Sequence, residues 1–220
     1  MRDYIEILLK TPVFRGLSPN EIEKILPLFR SGIKKYKKGE YILKAGKADA
    51  RLGIMLSGKA HIIQEEFWGN RNIVSTIGKG MNFGESYACA PEVEMSISVV
   101  AEAECRVLFL NVQEGLKYHR GCEGEISKVT MNLLTDMAYK NIYFTEKLRH
   151  IGERTTRTKI ISYLSAQSEK TGKKQFDIPF TRQELADYLF VDRSGLSAEL
   201  CKMRDEGLLE FSRNHFILKD

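Results

Sequence analysis

Phe180-Thr-Arg-Gln-Glu-Leu-Ala-Asp-Tyr-Leu189 runs straight into Phe190-Val-Asp192 and then into Arg193-Ser-Gly-Leu-Ser-Ala-Glu-Leu-Cys-Lys-Met-Arg-Asp-Glu-Gly207. Thr181 and Glu184 form an S/T-x-x-E capping box, which starts a helix at Thr181. Leu185, Ala186 and Leu189 give that helix one apolar face. After a turn of about three residues, Asp192 can cap a second helix. Leu196, Leu200 and Met203 then fall at i, i+4 and i+7, a single stripe for burial. Arg193, Ser194, Ser197, Ala198, Cys201 and Lys202 fall largely on the exposed faces. Gly207 ends the helix. Leu208 to Phe211 and His215 to Leu218 read as two short strands around Ser212-Arg213-Asn214. Two short helices about a tight turn, followed by a hairpin, describe a winged helix-turn-helix, which lays the N-terminal part of its second helix in the DNA major groove. Periodicity alone equally allows an ordinary helical hairpin closing a larger domain.

The rest of the chain sets bounds on that reading. Its 220 residues are 43% hydrophobic and 29% charged, enough for one large or two modest cores. The net charge is +5, and residues 151–220 balance twelve Lys/Arg against eleven Asp/Glu. Charge therefore does not by itself point to nucleic acid. No run approaches 18 apolar residues and no charged-then-apolar leader opens the chain, so a soluble, cytoplasmic protein with no membrane partner is expected. Cys89, Cys105, Cys122 and Cys201 form no C-x-x-C pair and read as buried, inert thiols. Iron–sulfur ligation uses closely spaced cysteines, and the first 88 residues have none. His61, His119, His150 and His215 are scattered. No metal and no cofactor is expected.

Met1 to Leu28 carries apolar residues at helical spacing (Ile5, Leu8, Leu9, then Ile22, Ile25, Leu26), with Ser18 as a cap, Pro19 at the first helical position and Glu21 completing a capping box. From Ile33 to about Leu110 the texture changes. Tyr41-Ile-Leu, Leu52-Gly-Ile-Met-Leu, His61-Ile-Ile, Ile73-Val-Ser-Thr-Ile, Ile97-Ser-Val-Val and Arg106-Val-Leu-Phe-Leu are strand-like, punctuated by Gly39, Gly46, Gly58, Gly69 and Gly80. Many short strands suggest an antiparallel sandwich, barrel or roll. A cupin-like enzyme with a helical appendage would share that texture. It would need a His and carboxylate cluster, or a nucleophile beside a base; the stretch has one His, and no catalytic residue is assigned. Gly124 to Ile151 is a long helix without Pro. Leu133, Met137, Asn141, Phe144, Leu148 and Ile151 keep a near-heptad seam, while Val129, Leu134, Ala138 and Ile142 form a second apolar face. Two apolar faces need two partners: the β-domain, and the same helix of a second subunit. A wholly intramolecular helix is the alternative. Arg154 to Glu169 reads as a further helix, with Ile160, Ile161 and Leu164 on its apolar side.

Thr181-Arg-Gln-Glu-Leu-Ala together with Val191-Asp-Arg-Ser-Gly-Leu-Ser-Ala-Glu-Leu resembles the DNA-binding end of the Crp/Fnr superfamily of bacterial transcription regulators. Pro12-Val-Phe-Arg-Gly-Leu-Ser resembles its helical entry. Lys38-Gly-Glu-Tyr-Ile-Leu, Gly46, Leu56-Ser-Gly-Lys-Ala and Phe83-Gly-Glu85 resemble its cyclic-nucleotide-binding β-roll. The resemblance implies an α+β chain in three parts: residues 1–123, an N-terminal antiparallel β-roll of the double-stranded β-helix or jelly-roll type that senses an effector; 124–151, a dimerisation helix; and 152–220, a winged helix-turn-helix. It implies a homodimer on a pseudo-palindromic operator, with RNA polymerase as a further partner. The effector pocket it implies is Phe83, Gly84, Glu85, Ser86, Met95 and Ser96, with Phe144 and Thr145 from the long helix.

One departure from the family bears first on the effector. A Glu there takes the ribose hydroxyl, and Glu85 aligns with it. An Arg there pairs with the cyclic phosphate, and Met95 stands in its place. A buried phosphate without a bidentate Arg is poorly compensated. No spacing argument makes Arg71, Lys79 or Arg106 a substitute, and Phe144 is bulkier than the small polar residue expected. An unidentified effector other than cyclic AMP, or a closed pocket with none, is therefore expected; a haem- or redox-sensing member is the alternative within the superfamily. At the DNA end, the resemblance puts Thr181, Arg182 and Gln183 on phosphate at a helix N-terminus. Arg193 matches the recognition-helix Arg that reads guanine. Ser194 and Ala198 replace a Glu and a second base-reading Arg of the cyclic-AMP-responsive members, so the operator differs. Ser194 and Ser197 can still donate or accept at base edges, and Lys202 and Arg213 fall to phosphate. For any one of these charges, a solvated surface role is the alternative.

Overall fold

The computed structural model describes residues 2–49, 51–65, 71–117 and 120–219. Gly69 and His119 lie outside them, as do the side chains of Arg71 and Asn72. The described chain divides into two units, Met1–Ala138 and Tyr139–Asp220.

In the first unit, α1 (Arg2–Leu8) and α2 (Pro19–Ile25) precede the strands. Helix α2 starts where its cap is written. Ser18 accepts the Glu21 N–H at 3.3 Å, and the Glu21 carboxylate accepts the Ser18 N–H at 2.7 Å. Hydrogen bonds to the Glu21 carboxylate, from the Ser18 backbone first and then from the Ser18 side chain and Lys128, hold its pKa down at about 2. Then come β1 (Gly32–Tyr36), β2 (Tyr41–Leu43), β3 (Arg51–Ser57), β4 (Ala60–Glu65), β5 (Arg71–Ile77), β6 (Asn82–Phe83), α3 (Glu85–Cys89), β7 (Ser98–Ala101), β8 (Cys105–Asn111) and α4 (Val112–Gly115). They pair as two antiparallel sheets, in the orders β1-β8-β3-β6 and β2-β7-β4-β5. Strand β3 shows almost no alternation because both its faces are covered. Leu52, Ile54 and Leu56 join the helical segments in one core, and Met55 joins Ile42, Phe83, Val99 and Phe109 in a second core between the sheets. Gly58 closes the turn to β4 at φ 85°, where a Cβ would lie 2.4 Å from the Glu104 carbonyl oxygen. Only glycine meets both demands.

Helix α5 (Glu123–Ile151) is continuous through the boundary between the units. Its apolar faces divide differently from the expectation. Leu133, placed on the seam, is buried with Ile126 and Val129 in the helical core of the first unit. Leu134 and Ile142, placed on the second face with Val129, are 61% and 55% exposed. The bare apolar and aromatic residues are Met131, Leu134, Ala138, Tyr139, Ile142, Tyr143, Phe144 and Leu148. Leu133 and Ile151 are about five full turns apart at 3.6 residues per turn, so the seam keeps to one stripe, which the first unit covers at Leu133 and which is bare at Phe144 and Leu148.

The second unit continues with α6 (Thr156–Thr171), β9 (Gln175–Asp177), α7 (Arg182–Leu189), α8 (Arg193–Asp205), β10 (Leu209–Ser212) and β11 (His215–Leu218). The sheet order is β10-β11-β9, so the two-stranded wing expected from sequence has a third strand. Ile160 and Leu164 of α6 are buried, but Ile161 is 42% exposed and Tyr163 takes its place inward. Leu185, Ala186, Leu189, Leu196, Leu200 and Met203 are all buried in one core with Tyr163 and Phe216.

Candidate functional site

Helix α7 begins at Thr181, whose hydroxyl accepts the Glu184 N–H at 3.3 Å while the Glu184 carboxylate accepts the Thr181 N–H at 2.7 Å. Helix α8 begins at Asp192. Its carboxylate accepts the Gly195 N–H at 2.7 Å and the Ser194 hydroxyl, and these bonds, Ser194 first, hold its pKa below the ordinary range. The Asp192 cap, with the Val191 N–H donating to the Ala186 carbonyl at 3.0 Å, fixes the turn between the helices and leaves Arg193 exposed on the first turn of α8. The Ser197 hydroxyl donates to the Arg193 carbonyl at 2.9 Å. The hydroxyl protons of Ser194 and Ser197 are thus engaged, which leaves both as acceptors toward a base edge. Lys202 is exposed in the last turn of α8, and Arg213 is exposed in the wing turn at φ 55°.

Arg182 is placed differently from a free phosphate ligand. Its guanidinium lies 5.1 Å from the Phe211 ring and 5.8 Å from the Phe216 ring, and donates to the Arg213 carbonyl at 3.3 Å. It ties the start of α7 to the wing. Gln183 is exposed and donates to Asp187 at 2.8 Å. A recess of about 540 Å³ lies beside these residues, lined by Ile178, Pro179, Phe180, Thr181, Arg182, Arg213 and Asn214.

In the first unit, Gly84 takes φ 77° at the N-terminus of α3. Glu85 is buried and accepts from Asn82 Nδ2 at 3.4 Å; the same amide donates to Asp136 at 3.0 Å. Phe83 and Met95 are 3% and 2% exposed and pack in the core between the sheets with Ile42, Leu43, Val99 and Phe109. Met95 is pinned at its backbone: Gly46 N–H donates to its carbonyl at 2.8 Å, and its own N–H donates to the Lys47 carbonyl at 3.2 Å. Ser86 and Ser96 face solvent, Ser96 with its hydroxyl 3.1 Å from the Tyr87 hydroxyl. Phe144 and Thr145 lie on the part of α5 in the second unit and are exposed.

The model of the cyclic nucleotide-binding domain family matches residues 33–118, and that of the Crp-like helix-turn-helix domain family matches residues 158–220. The chain belongs to the Crp/Fnr superfamily. The cyclic AMP receptor protein of Thermus thermophilus is 30% identical over 100 residues, 46% of this chain and 45% of that protein. Human cGMP-dependent protein kinase 2 is 23% identical over 210 residues, 93% of this chain but 26% of the kinase. The chain thus spans less than half the length of these curated relatives. The crystal structure of the Thermus thermophilus catabolite activator protein has the same fold, at 22% identity and a TM-score of 0.51, with 95% of this chain and 94% of that chain covered.

Within this Crp/Fnr protein, sequence reasoning missed two cation placements. Arg51 is held by Asp49, with Nε 2.7 Å from Oδ1, and lies 4.4 Å from the Phe109 ring. The pair is local in sequence, so its spacing was a readable signal. Arg106, one of three candidate stand-ins for the phosphate-binding Arg, donates to the Tyr4 hydroxyl at 2.5 Å, a contact across 102 residues that no local pattern announces. Lys79 is exposed. The thiols are also less uniformly buried than expected: Cys105 and Cys122 are buried, Cys89 and Cys201 half-buried. Burial pushes the Cys89 and Cys105 pKa values up, which disfavours the reactive thiolate. Among the described residues no group of three or more His, Cys, Asp or Glu could hold a metal ion, and no helix is long and apolar enough to cross a membrane.

Proposed function

We propose that this protein is a homodimeric, sequence-specific DNA-binding transcription regulator, acting in the cytoplasm with RNA polymerase as its downstream partner. The observation that carries the reading is Arg193, exposed on the first turn of a helix whose opposite stripe is fully buried. Such a residue can reach a base edge without disturbing the core. Ser194 and Ser197 add acceptors beside it, while Thr181, Gln183, Lys202 and Arg213 surround it with phosphate-reaching groups. Arg182 acts through the wing it holds. The proposed division of labour is sensing by residues 1–123, dimerisation by 124–151 and DNA reading by 152–220. Selection of bound duplexes from a random pool tests the reading: a two-fold-related consensus with half-sites about 34–36 Å apart is expected, and recovery of unenriched sequence overturns it.

The relatives' names, cyclic AMP receptor protein and cGMP-dependent protein kinase, would suggest a cyclic nucleotide in the roll. Met95 argues otherwise, because a buried thioether stands where the phosphate needs a cation. The effector is an uncharged or cationic molecule, or there is none. An absorbance spectrum of the purified protein separates this from haem sensing: a Soret band overturns it. The cupin-like enzyme reading loses its support to the family assignment.

A further inference from the structure

Phe190 is the C-cap of α7 and sits in the turn between the two helices of the motif, at φ 52° and ψ 54°. A bulky residue in the left-handed region is uncommon and strained, and such an outlier invites a search for what it does. Burial does not account for it, since Phe190 is 67% exposed. Its ring does have a partner on α5. Lys147 Nζ lies 5.0 Å from the Phe190 centroid and 5.3 Å from that of Tyr188, within range of a cation–π contact to each. Burial also pulls the Lys147 pKa down. One turn earlier on α5, Tyr143 meets the Tyr188 ring edge-on at 6.2 Å.

These contacts differ in leverage from the one nearest the end of α5. His150 is buried there, with Nδ1 2.8 Å from Ser162 Oγ on α6 and its ring 5.7 Å from that of Tyr163. A contact at the pivot holds two bodies together but does little to fix the angle between them. Tyr143 lies about 12 Å along the axis from the helix end and Lys147 about 6 Å, at 1.5 Å per residue. Contacts at that distance resist rotation. Helix α8 shares its buried core with α6 and α7, and Lys159 of α6 donates to the Leu189 carbonyl at 3.2 Å, so holding the end of α7 also holds the reading helix.

The geometry points to Lys147 as a positioning residue: clamped on the Tyr188 and Phe190 rings, it fixes the angle between α5 and α8, and with it the half-site spacing the dimer accepts. The inference rests on the regulator reading above. It uses Lys147, Tyr188 and Phe190, none of them on α8 itself, so the bases preferred within a half-site are set separately from the distance between half-sites.

The test uses the full chain and its selected operator, with duplexes lengthened or shortened by one base pair between half-sites. Wild type is expected to bind the selected spacing about tenfold tighter than the altered ones, and Lys147→Ala to bring that ratio within about threefold. Lys147→Arg, which keeps a cation over the rings, retains the wild-type ratio. Base preference within the half-site and the melting temperature stay unchanged in all three. Phe190→Gly is the second variant: it relieves the left-handed strain, so its melting temperature holds or rises while the spacing ratio falls. A wild-type spacing ratio in either Lys147→Ala or Phe190→Gly, with operator binding intact, overturns the inference alone. Failure of wild type to bind any duplex overturns the regulator reading and this inference with it.

Discussion

In the proposed regulator, Arg193 is where one side chain decides sequence preference. It is exposed at the N-terminal turn of α8, and an Arg that reads guanine contributes about 1–3 kcal/mol of discrimination. Arg193→Ala is therefore expected to weaken operator binding by that amount and to relax preference at one base pair, measured by anisotropy on single-substitution duplexes. Equal losses on operator and random DNA would show that it reads no base. Arg182→Ala has a different signature, since its guanidinium is seated on Phe211 and Phe216: a weaker, more mobile wing rather than a lost base. His150 makes a second prediction at this scale. It faces Ser162 and Tyr163 on α6 and Tyr188 on α7, with Arg149 and Glu146 beside it on α5. Burial first, and Arg149 second, depress its pKa, against a smaller opposing pull from Glu146. The unfolded chain then binds a proton that the folded one resists. Stability is full above the unfolded value near 6.5 and declines as pH falls toward the lowered folded value. Melting between about pH 7.5 and about pH 5.5 should show this decline, and His150→Leu should flatten it; an equal slope in the variant would show that other groups carry the acid sensitivity.

At the scale of elements, what was legible in the sequence was what is encoded locally. Ser18, Thr181 and Asp192 sit at the helix starts they were read to cap, because a cap is a contact three residues long. Strand β9 was missed because three residues, Gln175 to Asp177, cannot display an alternation. The faces of α5 were misdrawn for another reason: only the tertiary packing of Val129 and Leu133 shows which part of a face the unit covers. This distinction yields opposite outcomes for two similar substitutions. Leu148 is 64% exposed and Leu133 is 3% exposed. Leu148→Asp should leave the fold intact and turn the proposed dimer into monomers by sedimentation equilibrium at micromolar concentration. Leu133→Asp should instead unfold the first unit, since burying an unpaired charge costs several kcal/mol, on the order of 3–5. A monomeric wild type at that concentration would remove the dimer from the proposal.

At the scale of the whole molecule, the question is which ligand the fold can take up, because any ligand that binds only the folded chain must raise its stability by mass action, by about 2.7 kcal/mol at a hundredfold excess over Kd. Which side chains fill the roll was only half legible: Glu85 and Met95 could be placed by their neighbours in sequence, but the packing of Met95 among Ile42, Phe83 and Phe109 depends on strands far apart in the chain. That packing makes the prediction sharper. Met95 is 2% exposed and belongs to the core with Ile42, Phe83 and Phe109, so its side chain cannot swing out to admit a phosphate without opening that packing. Cyclic AMP and cyclic GMP at millimolar concentration should leave the wild-type melting temperature unchanged and operator binding unaffected. A rise in melting temperature together with tighter operator binding would overturn the assignment. Met95→Arg supplies the missing cation but buries it without a partner, which alone should lower stability by several kcal/mol. A cyclic nucleotide would then supply the partner, and the variant should recover part of that loss in its presence. Inorganic phosphate at the same concentration separates simple charge neutralisation from recognition of the nucleotide: equal recovery with phosphate means that Arg at position 95 found only an anion, whereas recovery with the nucleotide alone means that Glu85 and the α3 turn still shape a nucleotide site that Met95 has closed.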